Sequence, residues 1–163
     1  MKLHCAHRIA LPADAFWDVI HSPRYEALVA EAIGLHEYTE LERRDEPDAI
    51  YRRIRSRPAL PDALQALLRR IAPRGGSPSY IEEQWRSKQE RVVRWRMQPS
   101  VLPDRARIEG TVRVAPLDAA SCRRILDGVV EVQLFGLGSM VERAVIAATV
   151  EAYGRSAELV ASL

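Results

Sequence analysis

The chain has 163 residues with 47% hydrophobic and 28% charged side chains, which predicts a single globular domain over residues 1–163 and excludes a disordered or fibrous protein. Its net charge of +2 is small and it contains no nucleic-acid-binding motif, so we expect no nucleic-acid partner. No apolar run reaches membrane-spanning length and the N-terminal segment is too polar for a secretory signal, so we expect a cytoplasmic protein.

The N-terminal part of the sequence predicts one strand followed by two short helices. Residues 2–9 alternate apolar and polar side chains, which is typical of a half-buried strand. Helical spacing of apolar residues follows over 13–20, directly after Pro12, and again over 24–33. Gly34 is expected to end the second helix, since glycine adopts the left-handed conformation of a helix cap at little cost.

The middle of the chain predicts two further strands and an additional helix. Residues 35–44 and 49–57 have strand-like composition and are separated by an acidic turn with a proline. An amphipathic helix is expected over residues 61–72, because its leucine and isoleucine side chains recur at helical spacing. The following segment, PRGGSPS, is expected to be a loop that is too short to separate two domains.

The second half of the chain has the clearest strand patterns. Apolar side chains occupy every second position over 93–98 and 105–114, and less regularly over 80–86 and 122–134. Such alternation is typical of antiparallel strands with one face in the core and the other in solvent. From Ser139 onward the sequence predicts a helix to the end of the chain.

The C-terminal helix carries a continuous apolar stripe. Its members recur at steps of three and four residues: Leu137, Val141, Val145, Ala148, Ala152, Ser156, Leu159 and Leu163. Such a stripe must lie against an apolar surface. The small residues in its middle either let the helix approach a sheet closely or leave a space beneath it.

This order of elements, with LPADAFWDVI after the first strand and EVQLFGLGSMVERAVIAATVEAYGRSAELV at the end, resembles the START-like (SRPBCC, helix-grip) superfamily over essentially the whole chain. That superfamily includes birch-pollen-allergen-like, polyketide cyclase and lipid-transfer proteins, and the tail is similar to an uncharacterised bacterial branch of it. The resemblance implies an α+β fold in which a curved antiparallel sheet wraps around the long C-terminal helix. It further implies a cavity between sheet and helix for a lipid, sterol, polyketide or other apolar molecule.

The strands and the helix stripe supply candidate walls for such a cavity. We expect these side chains to line it: Ile54, Trp85, Val93, Trp95, Met97, Ile108, Val112, Val130, Val132, Met140, Val141, Val145, Ala148 and Ala152. The alternative is that the same side chains pack together as a filled core, because apolar stripes form cores more often than pockets.

Arg52 and Glu83 are the polar candidates for ligand recognition. Arg52 alternates with Ile54, and Glu83 stands two residues before Trp85 on the strand expected beside it, so both charges are predicted to point inward. Because unpaired buried charges are costly, the two are expected to meet. Arg52 would then bind a carboxylate or phosphate group of the ligand. The alternative is a structural ion pair at the rim of the sheet.

A basic block follows an acidic beginning of the chain. Residues 1–50 have a net charge of −5, whereas residues 51–74 contain seven arginines against a single acidic residue. A peripheral contact with anionic membranes is one interpretation, with the 61–72 helix as a mobile lid over the cavity. The arginines that would make this contact are Arg53, Arg55, Arg69 and Arg70. The alternative is a solvated face over a packed helix.

Support for catalysis in the sequence is weak. The chain contains no GxSxG, P-loop or GxGxxG motif, and His4 and His7 lie on opposite faces of a strand, so we expect no metal site and no cofactor. We therefore expect a non-enzymatic carrier or sensor of a hydrophobic molecule. Two alternatives are an interaction module with a filled core and a small cyclase- or hydratase-like enzyme, in which Tyr51, Arg52 and Glu83 would supply acid and base groups.

Overall fold

The computed structural model describes residues 1–162, and its elements follow the predicted order. The strands are β1 (Lys2–Ile9), β2 (Leu35–Asp45), β3 (Ala49–Pro58), β4 (Tyr80–Ser87), β5 (Val92–Pro99), β6 (Ala106–Pro116) and β7 (Cys122–Val132). The helices are α1 (Ala13–Ile20), α2 (Pro23–Ala32), α3 (Asp62–Ile71) and α4 (Gly138–Val160). A single 3₁₀ turn over Pro103–Arg105, which was not predicted, precedes β6. Leu163, predicted as the last member of the helix stripe, lies outside the described residues.

The seven strands form one antiparallel sheet in the order β1-β7-β6-β5-β4-β3-β2. The long helix α4 packs against β7 and β1 at one side of this sheet and against α2. This arrangement confirms the predicted α+β helix-grip fold. Within residues 1–162, no helix is both long enough and apolar enough to cross a bilayer.

Local chemistry accounts for the start and the end of α2. The Ser22 side chain accepts a hydrogen bond from the backbone N–H of Tyr25 (3.2 Å), and Pro23 occupies the first helical turn, where its missing N–H is harmless. Gly34 follows the helix with a φ of 70°. The predicted left-handed residue is therefore present, and it turns the chain directly into β2.

The register between strands decides which face of the sheet each side chain occupies, because paired residues lie on the same face. Glu82 pairs with Ile54 and with Met97, which places it on the concave face under α4. Glu83 pairs with Arg53 on β3 and therefore lies on the outer face. The predicted inward orientation of Glu83 is wrong by one residue.

Trp85 explains why the sequence pattern of β4 was misleading. Its indole packs on the outer face against Tyr51, with 5.4 Å between the ring centroids, and the guanidinium of Arg94 lies 5.6 Å from the Trp85 ring. Every residue of β4 is half-buried, so burial does not alternate along this strand. An aromatic residue on β4 therefore indicates contact with neighbouring arginines and tyrosine rather than the core.

One part of the interior, which we call the filled core, lies where α1 and the last turns of α4 meet the sheet. Its buried members are Ile9, Ala13, Phe16, Tyr25, Val114, Cys122 and Val160. Phe16 is completely inaccessible to solvent. This cluster attaches α1 and α2 to β1, β6 and β7, and it closes one end of the space between sheet and helix.

Two glycines give Trp95 its position in the sheet. Gly110 and Gly128 are paired across β6 and β7. A Cβ atom on Gly110 would lie only 2.9 Å from the Cζ2 atom of the Trp95 ring, and one on Gly128 would lie 3.2 Å from it. The indole therefore lies over two positions without side chains. A Cβ atom at Gly110 would also collide with the Asp127 carbonyl oxygen, and one at Gly128 would lie 2.6 Å from that of Glu109, so either substitution would disturb the pairing of β6 and β7 as well as the ring.

Candidate ligand cavity

A cavity of about 440 Å³ lies between the concave face of the sheet and the helices α2, α3 and α4. This volume falls within the usual range of small-molecule pockets. Its wall is mainly apolar and includes Leu64 and Leu68 of α3. This space favours the predicted cavity over the alternative of an interior filled by side chains.

Most of the predicted wall residues line this cavity. Those that do so are Val93, Trp95, Met97, Ile108, Val112, Val132, Val141, Val145, Ala148 and Ala152. Ile54 and Val130 are completely buried outside the lining, and Trp85 lies on the outer face. Met140 is 50% exposed, because it is adjacent in sequence to the apolar stripe of α4 but does not belong to it.

Arg52 lies on the concave face, as predicted, but its partners differ from those expected. Its guanidinium binds both carboxylate oxygens of Glu26 on α2, and its Nε donates to Glu40 on β2 at 2.5 Å. Arg52 is 8% exposed and does not line the cavity. Its charge is used to fasten α2 to the sheet, and the predicted Arg52–Glu83 pair is wrong.

Glu83 belongs to an ion-pair network on the outer face. It accepts hydrogen bonds from the hydroxyl of Tyr51 (2.9 Å) and from Nε of Arg96 (3.0 Å). Partial burial raises the pKa of the Glu83 carboxyl, but these hydrogen bonds outweigh it and leave the pKa below its ordinary value. The predicted acid–base set of Tyr51, Arg52 and Glu83 is therefore wrong, because none of its members lines the cavity.

The sequence reasoning missed the polar part of the cavity wall. We call it the polar cluster, and it comprises Tyr38, Tyr80, Glu82, Gln84 and Tyr153. Gln84 Nε2 donates a hydrogen bond to Glu82 Oε1 at 2.8 Å. Residues 80, 82 and 84 share one face of β4, so the correct phase of this strand would have identified them from the sequence.

Burial raises the pKa values of Tyr38, Tyr80, Glu82 and Tyr153 in the polar cluster. Enclosure by protein raises the pKa of Glu82, and the nearby Glu26 raises it further. The hydrogen bond from Gln84 and the charge of Arg52 lower this pKa, but they do not cancel the rise. Burial likewise raises the pKa of Tyr38 to about 12. The pKa values of Tyr80 and Tyr153 are also raised, first by burial and then by the carboxylate charge of Glu82. Their hydroxyls are therefore protonated donors at neutral pH.

Two basic side chains, His21 and Arg124, border the cavity. His21 has a pKa lowered to about 3, first by burial and then by Arg86 and Arg52, so it is neutral. Arg124 is 4% exposed and donates to the Ser156 hydroxyl (3.0 Å) and to the Tyr153 carbonyl (2.6 Å). Within residues 1–162, no carboxylate forms an ion pair with Arg124, and no group of histidine, cysteine and acidic side chains is arranged to hold a metal ion.

Comparison with known proteins supports the fold. A model of the family described as "Protein of unknown function (DUF2505)" matches residues 4–163. The chain is similar to the Zhui aromatase/cyclase from Streptomyces sp. R1128, with a TM-score of 0.70, 15% identity, and 98% of this chain and 93% of that chain covered. It is also similar to a START superfamily protein from Mycobacterium smegmatis, with a TM-score of 0.60, 18% identity and coverages of 95% and 92%.

A third similar structure is the norcoclaurine synthase from Thalictrum flavum, with a TM-score of 0.65, 15% identity, and coverage of 100% of this chain and 87% of that chain. A comparison with curated protein sequences gave no match. At such identities the likeness establishes the START-superfamily fold alone, because one fold carries many functions.

Proposed function

Because the chain belongs to the DUF2505 family, whose description assigns no activity, we propose from its structure that it binds a hydrophobic small molecule of lipid, sterol or polyketide type in the cavity under α4. The observation that carries the proposal is about 440 Å³ of mainly apolar space inside the fold. Empty apolar space is destabilising, since the atoms that line it lose contacts. A ligand of matching shape restores those contacts.

The shape of the lining favours enclosure of the ligand. The wall combines the sheet with residues of three helices, among them Val29 of α2, Leu68 of α3 and Ala148 of α4. A molecule held between these elements has most of its surface removed from water, which is the usual arrangement of small-molecule sites. Carriage or sensing of an apolar molecule requires this type of site.

Two measurements test the proposal. One is native mass spectrometry of protein purified from its own host, and the other is calorimetry of the binding of naphthalene, which is a purely apolar probe. Ala148→Phe places a ring in the cavity, whereas Ala147→Phe places the same ring on the exposed face of α4. We expect bound apolar material and naphthalene binding in the wild type and in Ala147→Phe, and neither in Ala148→Phe. A wild-type protein that binds neither would contradict the proposal.

Glu82 favours a second candidate, a cyclase-like enzyme that uses the same cavity. A carboxyl with a raised pKa inside an apolar cavity is suited to proton transfer. In that case Glu82→Gln would abolish turnover of the co-purified molecule and leave its binding intact. Glu83→Gln, on the outer face of the same strand, is the matched control and should retain activity.

Membrane contact through Arg53, Arg55, Arg69 and Arg70 is a separate proposal. Arg69 and Arg70 are exposed at the end of α3, but Arg55 Nε donates to Glu37 at 2.7 Å, which neutralises part of the block. Flotation with vesicles should show binding that increases with anionic lipid content. Equal binding to neutral vesicles would contradict this contact.

A further inference from the structure

The polar cluster occupies one part of an otherwise apolar wall. Tyr80 and Glu82 stand two residues apart on β4, so both side chains project from the concave face. Tyr153 reaches the same cavity from α4, near enough for the Glu82 charge to raise its pKa. The Tyr153 hydroxyl makes no hydrogen bond to any residue in the range 1–162. The cavity therefore holds polar groups from opposite walls that a ligand can engage.

We propose that the ligand presents an uncharged oxygen, a hydroxyl or a carbonyl, to Tyr80, Glu82 and Tyr153. This inference rests on the proposed function, since it names the chemistry of the molecule bound there. A phenol hydroxyl and a protonated carboxyl both donate hydrogen bonds, and both can accept one from a ligand hydroxyl. An oxygen placed between them would satisfy groups that are otherwise enclosed with few partners.

An anionic ligand group fits this wall poorly. Burial disfavours negative charge at this place, as the raised pKa of Glu82 indicates. Arg52 is already occupied, because it binds Glu26 and Glu40. Arg124 donates to Ser156 and to a backbone carbonyl, but within residues 1–162 its Nε has no partner and no carboxylate pairs with it, so the decanoate probe described below tests this cation. The carboxylate-binding role predicted for Arg52 therefore has no free donor to support it.

A cationic ligand group is disfavoured for a different reason. It would need an ionised carboxylate in the wall. Glu26 lines the cavity but already pairs with Arg52, and enclosure opposes ionisation of Glu82 by raising the pKa of that carboxyl. Gln84 is the only described side chain that donates a hydrogen bond to Glu82. A single amide donor is weak support for a buried carboxylate, whereas it suits a neutral carboxyl group.

Calorimetry with three probes of equal chain length tests the inference: decan-1-ol, decanoate and decylamine. We expect the alcohol to bind at least about tenfold more tightly than either charged probe, because one poorly compensated polar group weakens binding by about this factor. Tighter binding of decanoate would overturn the inference and assign the head group to Arg124. Tighter binding of decylamine that is lost in Glu82→Gln would overturn it in favour of an ionised Glu82.

Variants separate this inference from the proposed function. Tyr153→Phe should weaken decan-1-ol binding by about tenfold and leave naphthalene binding unchanged, since only a hydroxyl is removed. Tyr80→Phe provides the same readout if the Tyr153 variant does not fold. Glu83→Gln should alter neither probe. Equal affinities for the three decyl probes, with naphthalene still bound, would overturn the inference alone, whereas loss of naphthalene binding by the wild type would refute the proposed function.

Discussion

Two parts of the interior lie under the same helix, and only one of them is filled. The last turn of α4, with Val160, covers the filled core around Phe16, whereas its middle, with Ala148 and Ala152, covers the cavity. The difference arises from the side chains that α1 and α3 contribute to the two ends. Helix α1 inserts a large aromatic side chain into one end, while α3 only covers the other. The filled end contributes packing to stability, and the end with the cavity is where we propose that the ligand binds.

The largest expected effect is at Phe16. Phe16→Ala removes a completely buried ring from the filled core and should lower the free energy of unfolding by about 3–5 kcal/mol. Urea denaturation measures this loss. Naphthalene binding by the remaining folded protein should be unchanged, because Phe16 does not line the cavity. A loss of binding at full folding would show that the two ends are not separable.

The second-largest expected effect is at Arg52, which fastens α2 to the sheet at the boundary between the filled core and the cavity. Arg52→Met leaves Glu26 without its cation, whereas Glu40 keeps its ion pair with Arg43. The expected loss is about 2–3 kcal/mol, below that of a fully buried pair because both carboxylates reach solvent. The double variant with Glu26→Gln should recover part of the loss in urea denaturation. No recovery would contradict the pairing.

The pH dependence of stability should identify His21, which ends α1 and also lines the cavity. Its folded pKa of about 3 lies below the ordinary 6.5, so the unfolded chain binds more protons between these values. Its contribution is complete above about pH 6.5 and is lost as the pH falls toward 3, by at most about 1.4 kcal/mol per pH unit.

Denaturation between pH 6.5 and 5 tests this prediction. The pKa of His7 is also lowered, first by burial, so the wild-type slope includes both histidines. His21→Gln should reduce the slope. Identical slopes in the His21 variant and the wild type would contradict the prediction.

The smallest expected effect is a difference in stability between alanine variants of two valines on β6. Val114 and Val112 stand two residues apart on one face of β6, the first in the filled core and the second at the cavity. Val114→Ala should cost more stability than Val112→Ala, by about 1 kcal/mol, because part of the Val112 surface borders the cavity whereas Val114 is packed in the filled core. Equal losses would indicate that the cavity closes around the valine in solution.

The sequence predicted the order of elements and the inner faces of β5 and β6, because apolar side chains alternate there with arginines. It failed on β4, where Trp85 packs against Tyr51 on the outer face and shifts the apparent phase by one residue. It also failed on the partner of Arg52, since Glu26 comes from a helix and no strand register relates the two. Whether small residues such as Ala148 leave space depends on the distance between helix and sheet, which no periodicity encodes.

The indole of Trp95, seated over Gly110 and Gly128, has an optical consequence. It is the one tryptophan that lines the cavity within residues 1–162, and its N–H has no hydrogen-bond partner there. Trp17 and Trp85 lie elsewhere, one beside His21 and the other on the outer face. Replacing both with phenylalanine would leave a single emitter inside the cavity. Its intensity and wavelength would then report arrival of a ligand without an attached dye.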